Sequence, residues 1–170
     1  MNHVAIVLGC LLALLPADAQ ERSVKPGINQ EYRGNVDPDR YERQFESEGR
    51  EAYDRRNDIV RALNLRPGMK VADIGTGTGL FVPLFSAEVG AQGRVYAVDI
   101  AEEFVEHVKS EAQELGLKNV ETVLCTDRSV ELPQESIDVA FLCDVYHHFE
   151  YPRDSLASIR SALRPGGSLV

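Results

Sequence analysis

No block of lysine and arginine interrupts this 170-residue chain, whose 18 basic residues are outnumbered by 27 acidic ones for a formal net charge of −9. A surface that tracks nucleic-acid phosphates is thereby excluded, and no nucleic-acid partner is expected. No apolar run reaches the ~20 residues a membrane-spanning helix needs. The longest, Val4 to Leu15, has twelve residues. Cysteine is scarce: beyond Cys10 only Cys125 and Cys143 remain, which says little about compartment. What is present is ordinary globular composition, 44% hydrophobic and 26% charged, with room for one domain and a real core.

The twelve-residue run suits the apolar region of a secretory leader, and Pro16 with the small-x-small site Ala17-Asp18-Ala19 follows it ahead of Gln20. Residues 1–19 are expected to be a signal peptide that sends the chain to the periplasm or medium and leaves no transmembrane segment after removal. Val7-Leu8-Gly9-Cys10 resembles a bacterial lipoprotein processing box, which gives the alternative of an anchor at Cys10. Residues 20–37 mix charge with Pro26, Gly27 and Gly34 without periodicity and read as a flexible linker. Asp37-Pro38 is a helix start, and Tyr41, Phe45, Ala52, Tyr53, Ile59, Val60 and Leu63 recur at helical spacing, with Gly49 expected to split residues 38–64 into two helices. Tyr41 and Phe45 read either as core or as part of a lid.

The chain is organised around Val71-Ala72-Asp73-Ile74-Gly75-Thr76-Gly77-Thr78-Gly79-Leu80. An apolar run emptying into glycines, with Leu80, Phe81, Leu84 and Phe85 at helical spacing behind it, predicts strand, tight turn and helix. Glycines there let a ligand approach the main chain, and a helix N-terminus behind them offers free N–H groups. Gly75 and Gly77 fit the first two positions of the dinucleotide fingerprint G-x-G-x-x-G, but its third falls on Leu80, with Gly79 one residue early. Asp73 would be a buried carboxylate at the strand end, costly unless it accepts hydrogen bonds. Arg94 to Asp99 is a second strand whose terminal acid stands where ribose hydroxyls are received. Phe104, Val105, Val108, Ala112 and Leu115 mark a helix closed by Gly116. Val120 to Leu124 is a third strand ending in Cys125-Thr126-Asp127-Arg128. Ile137 to Cys143 is a fourth, followed by Asp144-Val145-Tyr146-His147-His148-Phe149. A helix bearing Leu156, Ile159 and Leu163 leads to Arg164-Pro165-Gly166-Gly167 and a fifth strand near Ser168.

Asp73-x-Gly75-x-Gly77-x-Gly79, Asp99, Asp127, the loop and strand Leu132 to Cys143, and the His-His and Arg-Pro-Gly-Gly segments stand in one order over 65–170. Together they resemble the class I S-adenosylmethionine-dependent methyltransferases that act on small molecules and lipids. The resemblance implies an α/β fold, a doubly wound Rossmann-like and mostly parallel sheet with its last two strands missing here, and a natural reading frame that continues past Val170. It implies S-adenosylmethionine as cofactor, held by Asp73, Gly75, Gly77, Gly79, Asp99, Ile100, Asp127, Arg128 and Asp144. The glycine turn would face the methionine part, Asp99 the ribose, Asp127 the adenine amino group and Asp144 the methionine ammonium. His147 is the candidate catalytic base. In the implied strand order Cys125 and Cys143 end strands three spacings apart, ~14 Å, beyond disulfide reach, and both are expected as apolar core fillers. No metal is expected at Asp144, His147 and His148, because adjacent histidines should not point the same way. The partner is a small-molecule or lipid methyl acceptor. A nucleoside-cofactor-binding protein without catalysis, or an NAD-binding oxidoreductase, is the alternative.

Overall fold

The computed structural model describes residues 19–170, so Cys10 and all of the expected leader except Ala19 lie outside the described residues. Five strands form one parallel sheet in the order β3-β2-β1-β4-β5. They are β1 (Lys70–Ile74), β2 (Arg94–Asp99), β3 (Val120–Leu124), β4 (Ile137–Phe141) and β5 (Leu163–Leu169). Around the sheet lie α1 (Pro38–Phe45), α2 (Glu51–Asp54), α3 (Arg56–Ala62), α4 (Val82–Val89), α5 (Glu102–Glu114) and α6 (Pro152–Ala162). The central strand β1 buries Val71, Ala72, Asp73 and Ile74, as a parallel strand covered on both faces must. Val71, Phe85, Val89 and Val95 fill the core on the α4 side, and Ala72, Ile137, Ala140 and Ile159 fill the other, under α6. This is the doubly wound architecture that the sequence motifs imply. Its order reverses at β1 and β4, which opens a crevice at the carboxyl ends of the strands.

Three local expectations are corrected. Residues 38–64 form three helices rather than two, because Arg55 breaks the run a second time between α2 and α3. Only the part before α3 reaches the crevice, since Val60, Ile59 and Leu63 of α3 and its end pack into the core. Leu163 leaves α6 and pairs with Ile137, and the register jumps to Ser168 opposite Val139, so Arg164–Gly167 is looped out within β5. Pro165 disfavours helix at the residue before it, which is why α6 ends at Ala162. The stretch read as a flexible linker packs on the domain. Val24 N–H donates to the Glu150 carbonyl at 2.9 Å, and Val36 is buried with Tyr41, Ala101 and Phe104 in a third apolar cluster against which Tyr32 and Phe45 pack. Its polar composition hid this because the contacts fall on isolated residues with no period.

Candidate functional site

At the carboxyl ends of the strands lies a cavity of about 360 Å³, within the size range of small-ligand sites. Its floor is the turn after β1. Gly75, Gly77 and Gly79 all have positive φ. At Gly75 an added Cβ would lie 2.1 Å from Val145 Cγ2, whereas at Gly77 it would point into the cavity mouth, 3.7 Å from the Phe45 ring. Gly79 does not line the cavity, contrary to expectation; a Cβ there would meet Val108 Cγ2 at 2.9 Å, so this glycine lets α5 pack closely. The main-chain N–H groups of the glycines are not free either. Those of Gly75 and Thr76 donate to the Val98 carbonyl at 2.8 and 3.0 Å, that of Gly77 to Asp99 Oδ2 at 2.9 Å, and that of Gly79 to the Thr76 carbonyl at 2.9 Å. The neighbouring end of β2 takes the first three and the turn itself takes the fourth, leaving a ligand the turn's open surface.

Asp73 is 3% exposed and accepts one side-chain hydrogen bond, from Thr76 Oγ1 at 2.9 Å. Burial pushes its carboxyl up to about 7, against the pull of that hydrogen bond and with the help of Asp99. An unfolded aspartate titrates near 3.9, so between roughly pH 4 and 7 the native state holds a proton that the unfolded chain has lost. Stability therefore falls as pH rises through that window, and the full cost is present above it. We expect the advantage of Asp73→Asn over the parent chain to grow by about 2–3 kcal/mol between pH 5 and 8 in urea unfolding; a constant difference would mean that Asp73 is ionised throughout.

Asp99 closes β2 and is buried, with Oδ1 accepting from Ala101 N–H and Oδ2 from Gly77 N–H, each at 2.9 Å. Its pKa is raised by burial against those hydrogen bonds. Ile100 beside it lines the cavity, as expected. Asp127 and Asp144 stand at the rim, each paired with an arginine that sequence reasoning did not single out. Asp127 pairs with Arg33, and Asp144 Oδ2 lies 2.8 Å from Arg50 Nη2, whose guanidinium sits 4.8 Å from the Phe45 ring centroid. Asp144 takes the left-handed conformation, φ 55, which Asp tolerates and which is common at functional sites. Arg128 is corrected: it does not line the cavity but pairs with Asp154 and stacks over Tyr151. Of the aromatic pair left open, Tyr41 is core and Phe45 is cavity wall.

His147 and His148 both line the cavity, with ring centroids 4.2 Å apart. The premise that neighbouring histidines must diverge fails here, since both rings of the 3-10 turn Tyr146–His148 reach the same cavity. His147 Nδ1 lies 3.8 Å from Asp144 Oδ1. His148 packs edge-on to Tyr32 at 5.3 Å, its carbonyl accepts from Asn29 Nδ2 at 3.0 Å, and its buried Nδ1 has no hydrogen-bond partner. Burial and the neighbouring His147 lower its pKa. Cys125 and Cys143 are free thiols that pack against the two apolar core clusters, as expected, and also reach the cavity wall; burial pushes the Cys125 thiol up to about 12. Asn29 and Tyr32, also missed by sequence reasoning, reach the wall from the packed segment before α1. Among the described residues no group of three His, Cys, Asp or Glu side chains is placed to hold a metal ion.

A small zwitterionic nucleoside fits these residues. A glycine turn that a Cβ would fill lies at the centre, a buried acid at the end of β2 faces one side, and acids at the rim stand to either side of it.

A family model described as a methyltransferase domain matches residues 72–170. An uncharacterised 37.1 kDa transposon protein of Streptomyces fradiae is 36% identical over 112 residues, 66% of this chain and 32% of that protein. The ubiquinone/menaquinone biosynthesis C-methyltransferase UbiE of Burkholderia cenocepacia is 27% identical over 131 residues, 69% of this chain and 54% of that protein. The crystal structure of a SAM dependent methyltransferase from Aquifex aeolicus superposes with a TM-score of 0.68 at 30% identity, covering 77% of this chain and 69% of that one. The chain thus spans 32% and 54% of the length of the first two relatives.

Proposed function

The chain belongs to the methyltransferase domain family, and from that premise we propose that it binds S-adenosylmethionine and transfers its methyl group to a small-molecule or lipid acceptor. The observation that carries the reading is the placement of Asp99, Asp127 and Asp144 around one cavity floored by Gly75 and Gly77. Asp99 receives the ribose hydroxyls on lone pairs not used by Gly77 and Ala101. Asp127 receives the adenine amino group and Asp144 the methionine ammonium, each exchanging its present arginine partner or sharing it. When bound, the cofactor supplies a methyl on a sulfonium whose positive charge is lost on transfer, so the leaving group needs no acid. The protein's task is then to position the acceptor and, for an acceptor protonated at rest, to remove its proton.

His147 is the base in this account. Asp144 faces its Nδ1 side and leaves Nε2 for the acceptor's proton. We expect His147→Ala to lower the rate of transfer to such an acceptor about 10²-fold or more, with the affinity for S-adenosylhomocysteine unchanged; parallel loss of both would place His147 in the cofactor site instead.

That a similar protein is named for ubiquinone and menaquinone biosynthesis supports a small-molecule or lipid acceptor. Among the described residues no helix is long and apolar enough to cross a membrane. The apolar run and Ala-x-Ala site support export by a cleaved leader, with a lipoprotein anchored at Cys10 as the alternative. The experiment for the activity is transfer of radiolabelled methyl from S-adenosylmethionine into fractionated extracts of the source cells. Label in a small-molecule or lipid fraction supports the proposal, and binding without transfer to any fraction supports a nucleoside-cofactor-binding protein instead.

A further inference from the structure

The outermost contact of the packed N-terminal segment is unusually complete. The main-chain nitrogen of Gln20 donates to Asp154 Oδ1 at 2.8 Å. Its carboxamide is held on both sides, Oε1 accepting from Arg153 N–H at 3.2 Å and Nε2 donating to the Arg22 carbonyl at 2.6 Å. Arg128 closes the site, donating to the Gln20 carbonyl at 2.7 Å and pairing with Asp154, its guanidinium 3.5 Å from the Tyr151 ring centroid. The Asp154 side chain is only 15% exposed. Ala19, one residue earlier, is exposed. A receptor is thus built around one main-chain nitrogen, with a carboxylate as its acceptor.

Gln20 is also the residue that follows the small-x-small site Ala17-Asp18-Ala19. The small-x-small site and the contact of the Gln20 nitrogen with Asp154 meet at the same peptide bond, Ala19–Gln20. We propose that Gln20 is the N-terminus of the mature protein and that its α-ammonium docks on Asp154. A leader peptidase adds water across the Ala19–Gln20 peptide bond, leaving a carboxylate on Ala19 and a protonated amine on Gln20. Leader removal accompanies translocation, before folding, so the docked position of Gln20 does not bar the enzyme. A single peptide N–H then becomes an ammonium, and its hydrogen bond to the Asp154 carboxylate becomes an ion pair.

The docked terminus anchors the outer end of the segment that walls the cavity. From Gln20 the chain bonds the Glu150 carbonyl through Val24 N–H and the His148 carbonyl through Asn29, and then sets Tyr32 in the wall and Arg33 on Asp127. Processing therefore supplies a fixed end to the part of the site that sequence reasoning took for a linker. The inference rests on export by a cleaved leader and does not depend on methyl transfer.

The test uses the full 170-residue chain expressed with its own leader in a bacterial host. Intact mass should show an exported chain beginning at Gln20 with its glutamine intact. In the folded protein the Gln20 amine, followed by mapping the N-terminal peptide, should react with an acylating reagent at least about tenfold more slowly than in urea. Asp154→Asn should bring the folded rate towards the unfolded one. The same change should speed cyclisation of Gln20, in which the amine attacks its own carboxamide carbon and ammonia leaves. A chain beginning at any other residue overturns the processing site. A terminus already cyclised, or one labelled as fast folded as unfolded, overturns the docking with the processing site intact. The labelling ratio is read on the unmutated chain, so a folding defect in Asp154→Asn leaves the test decisive.

Discussion

Asp99→Ala is expected to weaken binding of S-adenosylmethionine and S-adenosylhomocysteine ~30–1000-fold, the loss of two charge-assisted hydrogen bonds at about 2–4 kcal/mol. Asp99 does two jobs that this single change would merge, because the same carboxylate also accepts the N–H groups of Gly77 and Ala101. Asp99→Asn separates them. The amide keeps an acceptor oxygen for one of the two main-chain donors but loses the charge and one acceptor position. If the ribose is what Asp99 recognises, Asn should recover the melting temperature more fully than it recovers affinity. An unchanged dissociation constant in either variant would remove Asp99 from the nucleoside site.

The second large effect is expected at Gly75. Alanine there must hold φ near 72 and place its Cβ 2.1 Å from Val145 Cγ2 and 2.8 Å from Val145 Cβ. The left-handed conformation costs about 1–2 kcal/mol and the overlap a further ~1–3, a large part of a domain's typical stability. Gly77→Ala shares the conformational cost but finds nothing nearer than the Phe45 ring at 3.7 Å, so its unfolding free energy should drop by only about 1–2 kcal/mol. Its methyl projects where the ligand would lie, and it should lose affinity out of proportion to stability. The clash has a partner, so Val145→Ala should offset part of the Gly75→Ala loss, a coupling visible in a double-mutant cycle by urea unfolding. Equal stability of the two alanine variants would contradict the account of the turn.

Much of the sheet was legible because each strand carries its own signal. A mostly apolar stretch such as Val71–Ile74 or Ile137–Phe141, each interrupted by one aspartate, is what burial on both faces demands, and the glycines after β1 mark the crossing point. Asp73, Asp99, Ile100, Asp127 and Asp144 line the cavity for the same reason, since each stands near a strand's carboxyl end or in the loop behind it, and the fold gathers strand ends in one place. Arg128 was misplaced because adjacency in sequence says nothing about direction: it follows Asp127 but turns to Asp154. Gly79, which the family resemblance assigns to the cofactor, lacks a Cβ where Val108 of α5 packs closely. Asn29, Tyr32, Arg33 and Arg50 were invisible for a different reason. Their partners stand about a hundred residues away, and no local period announces a contact such as Arg33 with Asp127 or Arg50 with Asp144.

The central claim, that this cavity is an S-adenosylmethionine site rather than a dinucleotide site, is tested most directly by isothermal titration of the chain with S-adenosylhomocysteine and, separately, with NAD. The early third glycine, the acid at Asp127 and the match to a methyltransferase domain over residues 72–170 predict a saturable heat with S-adenosylhomocysteine, lost in Asp99→Ala, and none with NAD. Saturable binding of NAD with no heat from S-adenosylhomocysteine would contradict it.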